Sequence, residues 1–461
     1  MGLNSVEYHD PVEMGHSARL PGTSSVDRIV CHVDVDCFYA ACERLREPPL
    51  RGEPVVVGMG YEPGSDAGAV ATASYEAREY GVESAQAISE ALERLPRKID
   101  AAQDDDLDVA DAGFYRPVDM EYYESVAGDI REILSEYANV VREVSIDEAY
   151  LDLTERTGWE EVESVATALK SEIAETVGVT ASVGVAPTMS AAKVASDHDK
   201  PDGLVVVEPG EVGPFFAPLD VEEVHGVGPV TASELRERGI ETAGDLAAAD
   251  PARLEAKFGE RGRRVARFAR GDDDRAVEPR GDPKSLSRES AFTEATTDPE
   301  RQTDRLLTLA DAVAERARRR EVSYRTISIK VVTPPFDVHT RAESLPGPVD
   351  DPELVASIAT DLFAEFEGTQ VRKLGVRVSN LSFADGDQPS LQQWAGEEAG
   401  EAGNPGAEPE GDPRAQTDAS ATEATEQATV EGSQGEETAE RESPEAEQPA
   451  DGQRRLGDFD R

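Results

Sequence analysis

The chain has 461 residues, enough for about three domains at roughly 150 residues each. It carries 95 Asp and Glu against 46 Lys and Arg, a formal charge of −49. Such a chain either avoids polyanions or works in concentrated salt, where the Debye length shrinks to about 3 Å at 1 M.

A hydrophobic content of 38% is enough for a core. No apolar run reaches the length of about 18 residues that a membrane span needs. Cys31, Cys37 and Cys42 lie too close together for a disulfide framework and match no zinc spacing, so a reduced, cytoplasmic setting is expected. Residues 1–27 are polar, lack an apolar signal segment and read as a disordered extension. Met1-Gly2 does not make a myristoylation start, because position 6 is Val6.

Residues 28–35 alternate through Ile29, Cys31, Val33 and Val35, as a buried strand does, and residues 54–57 predict a second strand. A helix over 74–81 stops at Gly81. Residues 100–112, with Asp104-Asp105-Asp106, read as an exposed acidic insertion. Val126, Ile130, Ile133 and Leu134 give Ser125–Tyr137 helical spacing. Strands at 140–146 and 149–153, a helix near 161–176 and a strand at 179–186 follow. Strands interleaved with helices imply an α+β sheet domain.

Residues 208–275 read as mainly helical, and the Pro- and Gly-rich stretch 276–285 as a linker. In 286–384, Ile327, Ile329 and Val331 alternate with polar residues, and so do Leu374, Val376 and Val378. These are strands with one polar face, covered on the other by helices near 301–320 and 352–366. Residues 396–452 hold 17 acidic and two basic residues, no aromatic and one large aliphatic, Val430. That composition cannot offset its ordering entropy, so the tail is expected to be disordered.

Two motifs carry the chemistry. In Val33-Asp34-Val35-Asp36-Cys37-Phe38-Tyr39-Ala40, Asp34 ends a buried strand, where a carboxylate is costly unless it is paired or binds a metal. In Ser145-Ile146-Asp147-Glu148-Ala149-Tyr150-Leu151-Asp152, Asp147 and Glu148 interrupt an apolar strand pair, as at a hairpin. Asp34, Asp147 and Glu148 together make an all-oxygen site of the kind that Mg²⁺ takes beside phosphate oxygens. Two such ions about 4 Å apart support in-line phosphoryl displacement. Either motif by itself also fits strand-end carboxylates capping turns.

Together the motifs resemble the Y-family translesion DNA polymerases, in the DinB or DNA polymerase IV branch, of halophilic archaeal type. Ala71-Thr72-Ala73-Ser74-Tyr75-Glu76-Ala77-Arg78 is similar to the family's fingers motif, and Lys200-Pro201-Asp202-Gly203 to its lysine loop. The resemblance runs from about 28 to 384. It implies an α+β right-hand polymerase. The palm would take 28–37 and 119–207, the fingers 38–118, and a helical thumb with a helix-hairpin-helix 208–275. A linker at 276–285 would lead to an α/β little finger at 286–384, then a disordered acidic tail at 385–452.

The implied activity is error-prone, template-directed DNA synthesis past lesions, without a proofreading exonuclease. Asp34, Asp147, Glu148 and the Val35 carbonyl would hold two Mg²⁺ ions; Asp36 ranks below them. Tyr39 would be the steric gate against a ribose 2′-OH. Thr72, Tyr75, Arg78 and Lys200 would hold the dNTP triphosphate, Arg78 with a fork of donors. Glu83-Ser84-Ala85-Gln86-Ala87-Ile88 departs from the family's usual segment, which leaves the lesion range open.

Val224-His225-Gly226-Val227-Gly228-Pro229 reads as the hairpin turn that lets backbone N–H groups of Gly226 and Gly228 approach a DNA phosphate. Lys330, Lys373 and Arg377 would face primer-template DNA from the little finger, where 13 basic residues nearly balance 16 acidic ones. At the end of the chain, residues 453–461 resemble the peptide that docks on the PCNA sliding clamp, through Gln453, Leu456 and Phe459. Gln388–Trp394 has the same spacing and is a weaker candidate. The chain is expected to act as a monomer away from membranes. A non-catalytic clamp-bound scaffold and a nucleotidyl cyclase remain as alternatives.

Overall fold

The computed structural model describes residues 28–383. The expected extension 1–27, the acidic tail, Gln388–Trp394 and the clamp peptide with Gln453, Leu456 and Phe459 lie outside the described residues.

Strand β1 (Val30–Val35) is buried at all six positions, because both of its faces are covered. Cys37 turns the chain in the left-handed region (φ 47°) into helix α1 (Phe38–Arg46). Strand β2 (Val55–Met59) pairs antiparallel with β3 (Ala69–Ala73), a strand of small residues that periodicity does not reveal. The expected helix at 74–81 is one turn, α2 (Tyr75–Arg78), capped by Ser74 and followed by a turn to Gly81 (φ 77°).

Helices α3 (Ile88–Arg94) and α4 (Lys98–Ala101) lead to β4 (Phe114–Pro117), which runs parallel to β2 and completes a three-stranded sheet. The acidic insertion is exposed from Ala102 to Asp111, as expected.

Helix α5 (Met120–Tyr137) begins five residues before the expected start, because the Asp119 side chain caps it by accepting from the Tyr122 N–H. Strand β5 (Val140–Glu143) ends three residues early, and 144–147 form the turn into β6 (Glu148–Asp152). Helix α6 (Val162–Thr176), strand β7 (Ala181–Ala186), helix α7 (Met189–His198) and strand β8 (Leu204–Val206) follow.

The resulting five-stranded sheet has the order β5-β6-β1-β7-β8, with β1 at its centre. Helix α7 presses so close to β7 that a Cβ at Gly184 would lie 2.1 Å from the Ala192 carbonyl oxygen, so this position requires glycine. A core including Phe38, Tyr123, Ile130, Leu134 and Ile173 packs against the sheet, each large side chain contributing about 1.5–3 kcal/mol.

Helices α8 (Val212–Phe216), α9 (Pro229–Arg236), α10 (Ala243–Ala248) and α11 (Pro251–Ala269) form the helical region. Helix α11 breaks at Gly259 (φ 63°).

The last unit is a four-stranded antiparallel sheet of order β11-β10-β12-β9, with two helices on one face. Its elements are β9 (Ser285–Thr296), α12 (Pro299–Arg319), β10 (Val322–Thr333), β11 (Asp337–Val349), α13 (Pro352–Phe363) and β12 (Val371–Phe383). Among the described residues no helix is long and apolar enough to cross a membrane.

Candidate active site

Strands β1 and β6 pair antiparallel, with Asp34 directly opposite Glu148. Two carboxylates facing each other across a ladder repel unless a cation joins them. Here Lys193 on α7 does so: its Nζ lies 2.7 Å from Asp34 Oδ2 and 3.0 Å from Glu148 Oε1. Lys200 Nζ reaches the same Asp34 oxygen at 2.6 Å, and Asp197 accepts from both lysines. Asp147 occupies the turn before β6; its Oδ1 accepts from Ser145 Oγ at 2.6 Å, and its carbonyl accepts from the Val35 N–H at 3.0 Å.

The electrostatics follow from burial and these partners. Burial raises the carboxyl pKa of Asp34 against the pull of Lys193 and Lys200. Burial also raises Asp147, and the neighbouring Asp34 and Glu148 charges add to the shift. Burial alone would raise Glu148 too, but His32 and Lys193 outweigh it and hold this carboxyl well below the usual range. Burial opposes the charge on Lys193, yet Asp34, Glu148 and Asp197 raise it above an ordinary lysine.

Among the described residues no three His, Cys, Asp or Glu side chains stand close enough to hold an ion as placed. The donor chemistry nonetheless fits a hard divalent cation. Three carboxylates sit on one sheet end, and an ammonium already lies between two of them.

Asp36, ranked below the other carboxylates, is buried and fully engaged. It accepts from Ser182 Oγ (2.9 Å), Tyr75 Oη (3.2 Å) and the Asp202 N–H (2.8 Å). It ties β1 and β7 to α2 and to the Lys200 loop. Tyr39 is half-buried and stacks on Tyr123, with ring centroids 4.6 Å apart and planes at 17°. Tyr123 is in turn fixed by donating to Glu43 at 2.8 Å. The Arg78 guanidinium lies 4.7 Å from the centre of the Tyr75 ring, so the two do share a face, and Arg78 Nε donates to the Ala73 carbonyl. Thr72 is half-buried on β3 beside them.

The helical region places Gly226 at φ 89°, and Gly228 caps α9 ahead of Pro229. Arg261 donates to the Gly226 carbonyl and braces the turn. On the last sheet the lysines expected to face DNA already have a partner. Lys330 and Lys373 both pair with Glu289, at 3.3 and 2.5 Å, from neighbouring rows. Arg377 on the same strand as Lys373 is exposed.

Sequence reasoning missed Lys193, Asp197 and His32. The signal for Lys193 was its place shortly before the Lys200 loop, on α7, whose end brings both lysines to Asp34.

Known proteins resemble this chain along most of its described length. Residues 33–197 match the impB/mucB/samB family, residues 283–391 its C-terminal domain, and residues 219–261 a SAM-like helix-hairpin-helix tandem. A DNA polymerase IV of Halobacterium salinarum is 63% identical over 386 residues, covering 84% of this chain and 93% of the relative. This chain belongs to the Y-family DNA polymerases, in the DNA polymerase IV group.

This Y-family polymerase is thus a DNA-directed, translesion DNA polymerase. It is also 42% identical to a DNA polymerase IV of Methanoculleus marisnigri, over 80% of this chain and 98% of the relative. Among solved structures it resembles a Y-family DNA polymerase chimera of Dbh and Dpo4, at TM-score 0.66 and 28% identity. That match covers 77% of this chain and 99% of the chimera. An insertion ternary complex of Dbh DNA polymerase matches at TM-score 0.56 and 27% identity, over 77% and 99% of the two chains. The four-stranded unit is the family's little finger, and α9–α11 carry its helix-hairpin-helix.

Proposed function

We propose that this polymerase adds dNTPs to a primer 3′-OH by two-metal phosphoryl transfer, without proofreading. Asp34, Asp147, Glu148 and the Val35 carbonyl are the residues that would hold two Mg²⁺ ions. Bound divalent ions supply activation of the attacking hydroxyl and neutralisation of charge on the leaving pyrophosphate.

The protein's own groups do the rest. Tyr39, held flat against Tyr123, closes the space beside the sugar and excludes a 2′-OH. Tyr75 and Arg78 present one cationic face to the triphosphate, with Thr72 and Lys200 at its sides. Lys200 and Lys193 offset negative charge gathering at the carboxylates. The Gly226–Gly228 turn holds the DNA backbone, and Lys330, Lys373 and Arg377 lie along the duplex, reading no sequence. The domain limits are those that the family resemblance implies.

The observation that carries this reading is the Asp34–Glu148 pair across β1 and β6, with Asp147 in the adjoining turn.

The C-terminal Gln453, Leu456 and Phe459 would dock on the PCNA clamp. A charge of −49 and a Halobacterium relative support a halophilic, cytoplasmic setting, where the chain would act as a monomer. There counterion release adds little to DNA affinity.

Primer extension across a KCl series, with Mg²⁺ or with EDTA, tests the reading. Template-directed dNTP addition that needs Mg²⁺ and persists in molar KCl is expected. Extension in EDTA, or activity lost in molar KCl, would contradict it.

A further inference from the structure

His32 is fully buried and lies two residues before Asp34 on β1, so both side chains leave the same face of the sheet. The register sets His32 opposite Tyr150 and Asp34 opposite Glu148. Helix α7 covers these four residues with Lys193, Ser196 and Asp197, which share one helix side. His32 Nδ1 is 2.8 Å from Ser196 Oγ; with the ring proton on Nε2 it accepts from that hydroxyl, for whose single proton the Lys193 carbonyl oxygen, 2.7 Å away, competes. The Tyr150 ring packs against the imidazole edge-on, with centroids 4.5 Å apart, and limits its rotation.

The other ring nitrogen, Nε2, is buried and has no hydrogen-bond partner among the described residues. Leaving such a group unsatisfied costs about 1–3 kcal/mol. The acceptor that it faces is Glu148 Oε2, 3.7 Å away. The remaining oxygen of that carboxylate, Oε1, turns to Lys193. Glu148 is therefore held at Oε1 by Lys193, while Oε2 faces His32 Nε2 across 3.7 Å, just beyond hydrogen-bond reach.

We propose that His32 is a positioning residue for the metal site. It closes on Glu148 Oε2 and fixes which oxygen of Glu148 is presented to a divalent cation, while Ser196 fixes the ring. His32 touches neither substrate nor ion and moves no proton. The inference rests on Glu148 being a metal ligand. Groups that orient ligating side chains in this way are worth about 10–100-fold in metal affinity.

The test is Mn²⁺ binding to the full chain in molar KCl without DNA or nucleotide, followed by the electron paramagnetic resonance of free Mn²⁺. His32→Phe, His32→Gln, Ser196→Ala and Glu148→Gln are compared with the parent. Metal-free primer-template affinity and melting temperature are measured alongside.

His32→Phe is expected to weaken Mn²⁺ binding about tenfold and leave primer-template affinity unchanged. His32→Gln, whose amide nitrogen reaches the same place, recovers most of the loss. Ser196→Ala costs a few-fold. Parent-like Mn²⁺ affinity in His32→Phe, with Glu148→Gln impaired, overturns the positioning role and leaves the metal site standing. Parent-like affinity in Glu148→Gln overturns the metal-site reading itself. If His32→Phe does not fold, Ser196→Ala decides, and an unchanged affinity there refutes the inference.

Discussion

Replacing Lys193 by Met removes the ammonium that joins Asp34 to Glu148 while keeping most of the side chain's length. In the parent, that ammonium lies 2.7 and 3.0 Å from the two carboxylates, and Asp34 is only 7% exposed. Breaking a buried pair leaves an uncompensated charge, at a cost of about 3–5 kcal/mol. Lys200 still reaches Asp34 at 2.6 Å, so the lower end applies, roughly 3 kcal/mol. At about 2–4 °C per kcal/mol this is a fall in melting temperature of roughly 6–12 °C.

The cost has a distinctive dependence on metal. A divalent cation bound by Asp34 and Glu148 replaces the lost charge, so saturating Mg²⁺ should recover most of the deficit. Melting of both proteins in molar KCl, with EDTA and with Mg²⁺, measures this. An equal deficit in both conditions would refute the reasoning, because the Lys193 charge would then not stand where a divalent ion binds.

Other outcomes follow from the same geometry. Tyr39→Ala should reduce discrimination against ribonucleotides by about 10–200-fold in single-nucleotide insertion, the range that one steric contact supplies. Unchanged discrimination removes Tyr39 as the gate. Glu289→Gln should release Lys330 and Lys373, tighten primer-template binding at sub-molar salt and steepen its salt slope by up to about 1–2, at roughly 0.9 per phosphate. An unchanged slope in a binding titration counts against these two lysines.

His225 is pushed down to about 4, first by burial and then by the Arg275 charge. Its folded form stays neutral where the unfolded chain takes a proton, so stability is lost as pH falls from about 6.5 towards 4. The loss amounts to roughly 3 kcal/mol. His225→Phe should flatten this acid limb in melting curves; parallel curves would show that His225 does not cause it.

Strand β1 and the 145–148 turn were legible because carboxylates interrupt apolar runs at Asp34 and at Asp147-Glu148, and burial makes such interruptions costly. The early end of β5 was not legible, since Val144 and Ile146 continue the apolar pattern into the turn. Strand β11 went unseen because it is exposed or half-exposed throughout, on the sheet edge, and its only alternation falls on the Pro- and Gly-rich end 345–349.

Helix α7 was hidden for the opposite reason. Its Ala191, Ala192, Ala195 and Ser196 are small because it packs tightly on β7, and small residues give no amphipathic signal. Lys193 and the Ser196 link to His32 were hidden with it. The pairing of Lys330 and Lys373 with Glu289 was not legible, because Glu289, on another strand, comes alongside only in the fold.

The most direct measurement of the central claim is single-turnover primer extension by Asp147→Ala in Mg²⁺ and molar KCl, with primer-template affinity measured on the same sample. Extension should fall by at least about a hundredfold while binding stays within a few-fold of the parent. Parent-like extension would show that Asp147 does not hold the ions that drive the reaction.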